Sequence, residues 1–154
     1  MENKIHVNDL KKQILLRGLD DSDYEALTTL IEYKVYNKGD VLFEQGDSSE
    51  GIYLIKTGRV RIQKSFSGGR FKTIVVFKDN NFFGDLSVLE KRPHSAAAVA
   101  LTPTEIFLLK GFDLDCSKGE NTLLICKILR RLALISSKNL RQMNEKFLRL
   151  GQSF

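Results

Sequence analysis

Gly51-Ile52-Tyr53-Leu54-Ile55-Lys56-Thr57-Gly58-Arg59-Val60-Arg61-Ile62-Gln63 reads as two short strands joined through a glycine turn. Ile52 to Ile55 is a continuous apolar run that stops at Thr57-Gly58. Beyond it, Val60 and Ile62 alternate with Arg59, Arg61 and Gln63, the period of a strand buried on one face only. The same signal continues in both directions. Val41-Leu42-Phe43 precedes Gln45-Gly46-Asp47, and Ser65-Phe66-Ser67-Gly68-Gly69 reads as a hairpin turn with two residues free to take positive φ. Phe71 to Phe77, Ser95 to Leu101 and Glu105 to Leu109 supply further strands. Seven or eight short strands between about Tyr33 and Leu109 predict an antiparallel β-roll or double-stranded jelly roll.

Both flanks read as helical, which makes the fold class α+β. Val7, Leu10 and Ile14 recur at helical spacing, with Gly18 as the stop. Ser22-Asp23-Tyr24-Glu25 has the pattern of a capping box, and Leu27, Leu30 and Ile31 form the apolar stripe behind it. After the strands, Gly111 to Cys116 is expected to make one turn. From Glu120 about thirty residues run without Pro or Gly, and Gly151 is expected to end the helix. Ile125, Ile128, Leu132 and Ile135 keep a 3-4-3 spacing; Leu140, Met143, Phe147 and Leu150 keep another, with a stutter between. A helix this long exceeds what a small roll can cover. It is therefore expected to pair with a second copy from about Thr122 to Phe147, with Asn139 placed to fix the register. The organisation expected is residues 1–119 as the roll with its N-terminal helices, and 120–154 as a dimerisation helix.

The 154 residues suit one domain, with 42% apolar and 28% charged side chains. No apolar stretch approaches the roughly 18 residues that span a bilayer, and Met1 to Lys12 contains no apolar core of a signal peptide, so the expected location is cytoplasmic. Cys116 and Cys126 are too few for a disulfide framework and lack companions for a metal site. The two histidines, His6 and His94, cannot build a clustered-histidine metal centre, nor can a Ser-His-acid set be argued from them. No enzyme, metal or resident cofactor is expected. Residues 1–119 carry 17 basic and 17 acidic side chains, so the net charge of +5 lies wholly in the last segment. There Lys127, Arg130, Arg131, Lys138, Arg141, Lys146 and Arg149 face only Glu120 and Glu145. Such a face attracts anions or an acidic protein partner.

Three ordered segments carry a resemblance. They are Lys38-Gly39-Asp40-Val41-Leu42-Phe43-Glu44-Gln45-Gly46-Asp47, then Gly51 to Val60, then Phe82-Phe83-Gly84-Asp85-Leu86-Ser87-Val88-Leu89 followed by Pro93-His94-Ser95-Ala96. Together they resemble the cyclic-nucleotide-binding domain of the catabolite activator protein family, found also in kinase regulatory subunits and gated channels. The resemblance covers about residues 8–149. It implies a phosphate-binding cassette made of Phe83, Gly84, Asp85, Leu86, Ser87, His94 and Ser95, with cyclic AMP or cyclic GMP as ligand. In the family the Asp85 position is Glu, accepting from the ribose 2′-hydroxyl, and the His94 position is Arg, pairing with the cyclic phosphate. Ser95 matches the family's Ser or Thr. Arg130-Arg131-Leu132 resembles the segment before a Thr-Ser pair that contacts the base; Ile135-Ser136 stands in that pair's place, retaining Ser136.

The departures weaken the expected site. Asp is one methylene shorter than Glu, and a neutral His offers one hydrogen bond where Arg offers two charge-assisted ones. A charged hydrogen bond is worth about 1.5–3 kcal/mol, or roughly 10- to 150-fold in affinity. Two functions follow. One is a regulatory sensor that binds a cyclic nucleotide weakly, or another small ligand, and signals through its C-terminal helix. The other is an adaptor that has lost its ligand and binds a protein partner. Activators of the family place a helix-turn-helix domain after the long helix; this chain stops at Phe154, so sequence-specific DNA binding is not expected.

Overall fold

Turns cut the middle of the chain into eight strands, and the strands pair into two four-stranded antiparallel sheets. The computed structural model describes residues 5–110 and 121–152. β1 (Ile31–Tyr36), β8 (Thr104–Lys110), β3 (Gly51–Thr57) and β6 (Phe82–Phe83) form one sheet, in that order. β2 (Val41–Phe43), β7 (Ala97–Ala100), β4 (Arg59–Ser65) and β5 (Phe71–Lys78) form the other. The apolar run of β3 becomes a fully buried strand, and Tyr53 and Ile55 meet Val60, Ala98, Ile106 and Leu108 in the core. Gly51 is required there by space: a Cβ would sit 2.2 Å from the Leu109 carbonyl oxygen. The fold is the α+β roll expected from the strand spacing, and Gly68 and Gly69 both take positive φ in the β4–β5 turn.

The N-terminal helices differ from the sequence reading in three ways. The first is shorter: α1 spans Val7–Lys11, and a separate 3₁₀ turn spans Ile14–Leu16. The reason lies in the sheet, which claims the intervening groups. Gln13 Nε2 donates to the Ile55 carbonyl at 2.9 Å, and the Ile14 amide donates to Asn80 at 3.0 Å. α2 (Asp21–Leu30) starts earlier than expected, because Asp20 and Asp23 make the capping box instead of Ser22 and Glu25. The Asp20 amide donates to Asp23 Oδ2 at 3.0 Å. Ile31, read as part of the helix stripe, is the first residue of β1 and pairs with Leu109.

The chain divides into two compact units, Met1–Asp115 and Cys116–Phe154. In the second, α4 runs from Thr122 to Gln152 and passes through Gly151 instead of ending there; one helical glycine costs only about 1 kcal/mol. Leu124, Ile125, Ile128 and Leu132 are buried in the single chain, whereas Leu140, Met143, Phe147, Leu148 and Leu150 are exposed. The turn expected at Gly111 to Cys116, Cys116 itself and Glu120 lie outside the described residues. Among the described residues no helix is long and apolar enough to cross a membrane.

Candidate functional site

The cassette hangs from β6, which is held to β3 by the Tyr53–Phe83 and Leu54–Phe82 pairs. Phe83 anchors it in the core, stacking on Tyr53 at 5.1 Å and on Phe77 at 5.9 Å between ring centroids. The backbone then turns at Gly84, whose φ of 81° is a left-handed conformation that costs glycine little. A Cβ at Gly84 would lie 3.3 Å from both the Gly51 carbonyl oxygen and Tyr53 Cδ2. α3 (Asp85–Glu90) follows and closes at Lys91, also left-handed at φ 50°. Pro93 to Ala96 returns the chain to the sheet. There the His94 amide donates to Asp47 at 2.9 Å and the Gly46 amide donates to His94 at 2.8 Å. The early Gln45-Gly46-Asp47 turn and the cassette are thus latched together through main chain.

His94 occupies the position from which the resemblance expects a phosphate-pairing cation. Its ring lies flat on Phe43, 3.5 Å between centroids and 8° from parallel, with Tyr53 edge-on at 6.4 Å. Only 4% of the residue is exposed. Nδ1 lies 3.2 Å from Ser87 Oγ, and Nε2 is buried with no hydrogen-bond partner among the described residues. Burial pushes the imidazole below its ordinary value near 6.5, against a weaker upward pull from Asp47 and Glu50. His94 is therefore a neutral ring at pH 7, packed as part of an aromatic cluster.

Asp85 opens α3. Burial pushes its carboxyl above the usual carboxylate range, while the amides of Asp85 and Leu86 hydrogen-bond to it and pull the other way. Those are two of the free helix-start amides that an incoming anion would use. Arg92, the nearest arginine in sequence, is half exposed and forms an ion pair with Glu90. The structure thus gathers Phe83, Gly84, Asp85, Ser87 and His94 in one place. Leu86 and Ser95 belong to the same segment but are exposed, and Ser136 is exposed on α4 in the other unit. Phe43 and Tyr53, which fix the imidazole, escaped the sequence reading. Nothing separates them from ordinary inward-facing strand aromatics until the fold sets them against His94. Among the described residues no group of three or more His, Cys, Asp or Glu side chains could hold a metal ion.

Two antiparallel four-stranded sheets, a glycine-turned short helix between β6 and β7, and a long helix after β8 define a ligand-cassette roll. The model of the cyclic nucleotide-binding domain matches residues 33–115, more than half of the chain, and the chain belongs to that family. It is 30% identical over 100 residues to a cyclic AMP receptor protein of Thermus thermophilus, covering 65% of this chain and 46% of that protein. It is 25% identical over 148 residues to a cAMP-dependent protein kinase regulatory subunit of Candida albicans, covering 96% of this chain and 28% of the relative. The chain spans less than half the length of these curated relatives. Among solved structures, the catabolite activator protein of Thermus thermophilus superposes with a TM-score of 0.71 at 26% identity, covering 90% of this chain and 63% of that one. The N-terminal domain of a transcriptional regulator from Streptomyces coelicolor gives 0.70 at 25% identity, covering 90% and 94%.

Proposed function

We propose that this chain is a non-enzymatic regulatory sensor whose cassette binds cyclic AMP or cyclic GMP weakly. The observation that carries this reading is the state of His94. A phosphate entering the cassette meets a neutral, buried imidazole already stacked on Phe43, and helix-start amides already facing the Asp85 carboxylate. No charged pair awaits it from either residue, so the affinity lost is that of a charge-assisted fork. The Gly84 turn and the Ser95 hydroxyl remain to receive a ligand.

The output assigned to this sensor is α4, acting as a homodimerisation helix. Its support is a second, mostly apolar stripe whose C-terminal half, Leu140, Met143, Phe147 and Leu150, is exposed. Leu140, Met143, Phe147 and Leu150 continue backwards in unbroken 3-4 spacing through Ser136, Ala133, Leu129 and Cys126. The stutter read from the sequence is thus two parallel stripes offset by one residue, and the stripe through Ile125, Ile128 and Leu132 is the one the single chain buries. An adaptor that binds a protein partner and no ligand is the second reading. The burial of His94, which leaves little of the ring to meet a ligand, favours it.

Calorimetric titration with cyclic AMP and cyclic GMP decides between them. The natural protein is expected to bind with dissociation constants well above micromolar. His94→Arg with Asp85→Glu is expected to tighten binding about 10-fold or more. Tight binding by the unmodified chain at pH 8 overturns the weak-cassette reading. Absence of binding by both proteins, with both folded, makes the adaptor reading the better one.

A further inference from the structure

Between Arg59 and Lys78 the chain carries six basic side chains and no acidic one. These residues are β4, the Gly68-Gly69 turn and β5, a single hairpin. None of the six bases makes an ion pair among the described residues; Arg61 instead bonds Gln63 Oε1 at 2.9 Å and lies over the Phe71 ring at 4.9 Å. The roll is balanced over residues 1–119, so the other residues of that stretch must carry an excess of six acids against the hairpin's six bases.

The same hairpin exposes apolar side chains. Phe66, Phe71, Ile74 and Val76 are each roughly half exposed, and Ile74 sits at an irregularity opposite Ile62 and Gln63. A row of paired positions crosses the sheet from Val41 to Val99, Arg61 and Val76, three apolar side chains with one charge among them. β5 is the terminal strand of its sheet, so no strand pairs with its outer edge among the described residues, although at its end the Lys78 main chain is bonded to Asn81.

From these three features together we infer that β5 is a docking edge for an acidic, extended segment of a partner protein, which adds to the sheet as a further strand. Main chain on the open edge would hold the segment, apolar contacts at Phe71, Ile74 and Val76 would give it grip, and the six bases would choose its charge. The occupant is not a second copy of the edge itself. Paired antiparallel about Val75, two such edges would set Lys72 of each against Lys78 of the other, and like charges across a new ladder repel. The lysines that keep two such edges apart are the ones that attract an acidic strand. This inference is independent of whether the cassette holds a nucleotide.

The test uses the full chain and a ten-residue synthetic peptide alternating Glu and Val, labelled for anisotropy, beside a control with Lys in place of Glu. Binding of the acidic peptide only is expected, falling steeply between low and physiological salt. Amide exchange at Phe71–Lys78 should slow in its presence. Lys72→Glu with Lys78→Glu should weaken binding about tenfold or more, and Phe71→Ser should weaken it separately; all are exposed sites, and circular dichroism reports that the fold is kept. No binding, or equal binding of both peptides, overturns the proposal. Tighter binding of phosphatidylserine vesicles or duplex DNA overturns it in favour of a polyanion surface, and self-association that the peptide displaces overturns it in favour of a second copy.

Discussion

The imidazole of His94 pays for burial without full hydrogen bonding. One ring nitrogen meets Ser87, the other has no partner among the described residues, and an unsatisfied buried polar group costs about 1–3 kcal/mol. Replacing both partners with apolar residues of similar shape, Ser87→Ala with His94→Phe, keeps the stack on Phe43 and removes the orphaned nitrogen. We expect the double variant to be at least as stable as the natural protein at pH 7 in a urea titration, by up to about 2 kcal/mol. A loss of more than that would mean the pair is better satisfied than its geometry indicates. The pH dependence has a definite sign. The folded imidazole titrates below its ordinary value, so between that value near 6.5 and its folded one the unfolded chain binds more protons. This residue's contribution is intact above about pH 6.5 and is lost as pH falls below it. The natural protein should therefore melt progressively lower from pH 7 to 5, and the double variant should lose part of that slope; equal slopes would place His94 outside the titration. The same depression moves any gain in phosphate binding from a protonated ring to below pH 6.5. At Gly84, alanine would meet Gly51 and Tyr53 at 3.3 Å with a left-handed backbone, and we expect Gly84→Ala to cost about 1–2 kcal/mol in the same titration.

Elements were legible where one local rule governed them. β3 and β4 were visible because an apolar run and a strict alternation flank one glycine turn, and the hairpin at Gly68-Gly69 because only turn residues sit there. β6, two residues long, is shorter than any period and has no signal of its own. The end of α1 was invisible for a different reason: the competing hydrogen bonds come from Ile55 and Asn80, some forty and sixty-six residues away. The cap of α2 was misplaced because Asp20, Ser22 and Asp23 all qualify locally, and only the chain path chooses among them. In α4 the two stripes were found but joined end to end, since spacing alone does not say which one the monomer buries. The exposed stripe makes a sharp expectation. On the proposed dimerisation, Phe147→Glu with Leu140→Glu should leave a monomer in sedimentation at micromolar concentration where the natural chain sediments as a dimer, while Ile128→Glu should unfold the chain, since it places a charge at a fully buried position. Cys126 lies on the exposed stripe with its thiol at the surface, so mild oxidation should cross-link a parallel dimer through it. An antiparallel pairing would leave the thiols far apart and give no such band.

At the scale of the molecule, composition announced a single small domain but hid its polarity. A stretch that sums to zero charge over 119 residues contains a hairpin of six bases, and averaging removed it from view. What composition cannot supply is the connection between the parts, and here the proposed function makes a thermodynamic demand. If α4 is the output of the cassette, ligand affinity and dimerisation are coupled, and the coupling is reciprocal: whatever factor the ligand adds to dimer stability, dimerisation adds to ligand affinity. The natural cassette binds too weakly on this reading to measure that factor, so the His94→Arg, Asp85→Glu protein is the instrument. Its dimer dissociation constant, measured by sedimentation with and without saturating cyclic AMP, should shift by about fivefold or more, the low end of ordinary allosteric coupling. Adding Phe147→Glu to the same background should shift the cyclic AMP dissociation constant by the matching factor and in the matching direction. The two measurements share no assay and no concentration range, so agreement between them is a strong constraint. A ligand that binds the double variant tightly and leaves its dimerisation untouched would sever the cassette from the helix. In that outcome α4 is a constitutive dimerisation element, and the signal has to leave the roll by another surface.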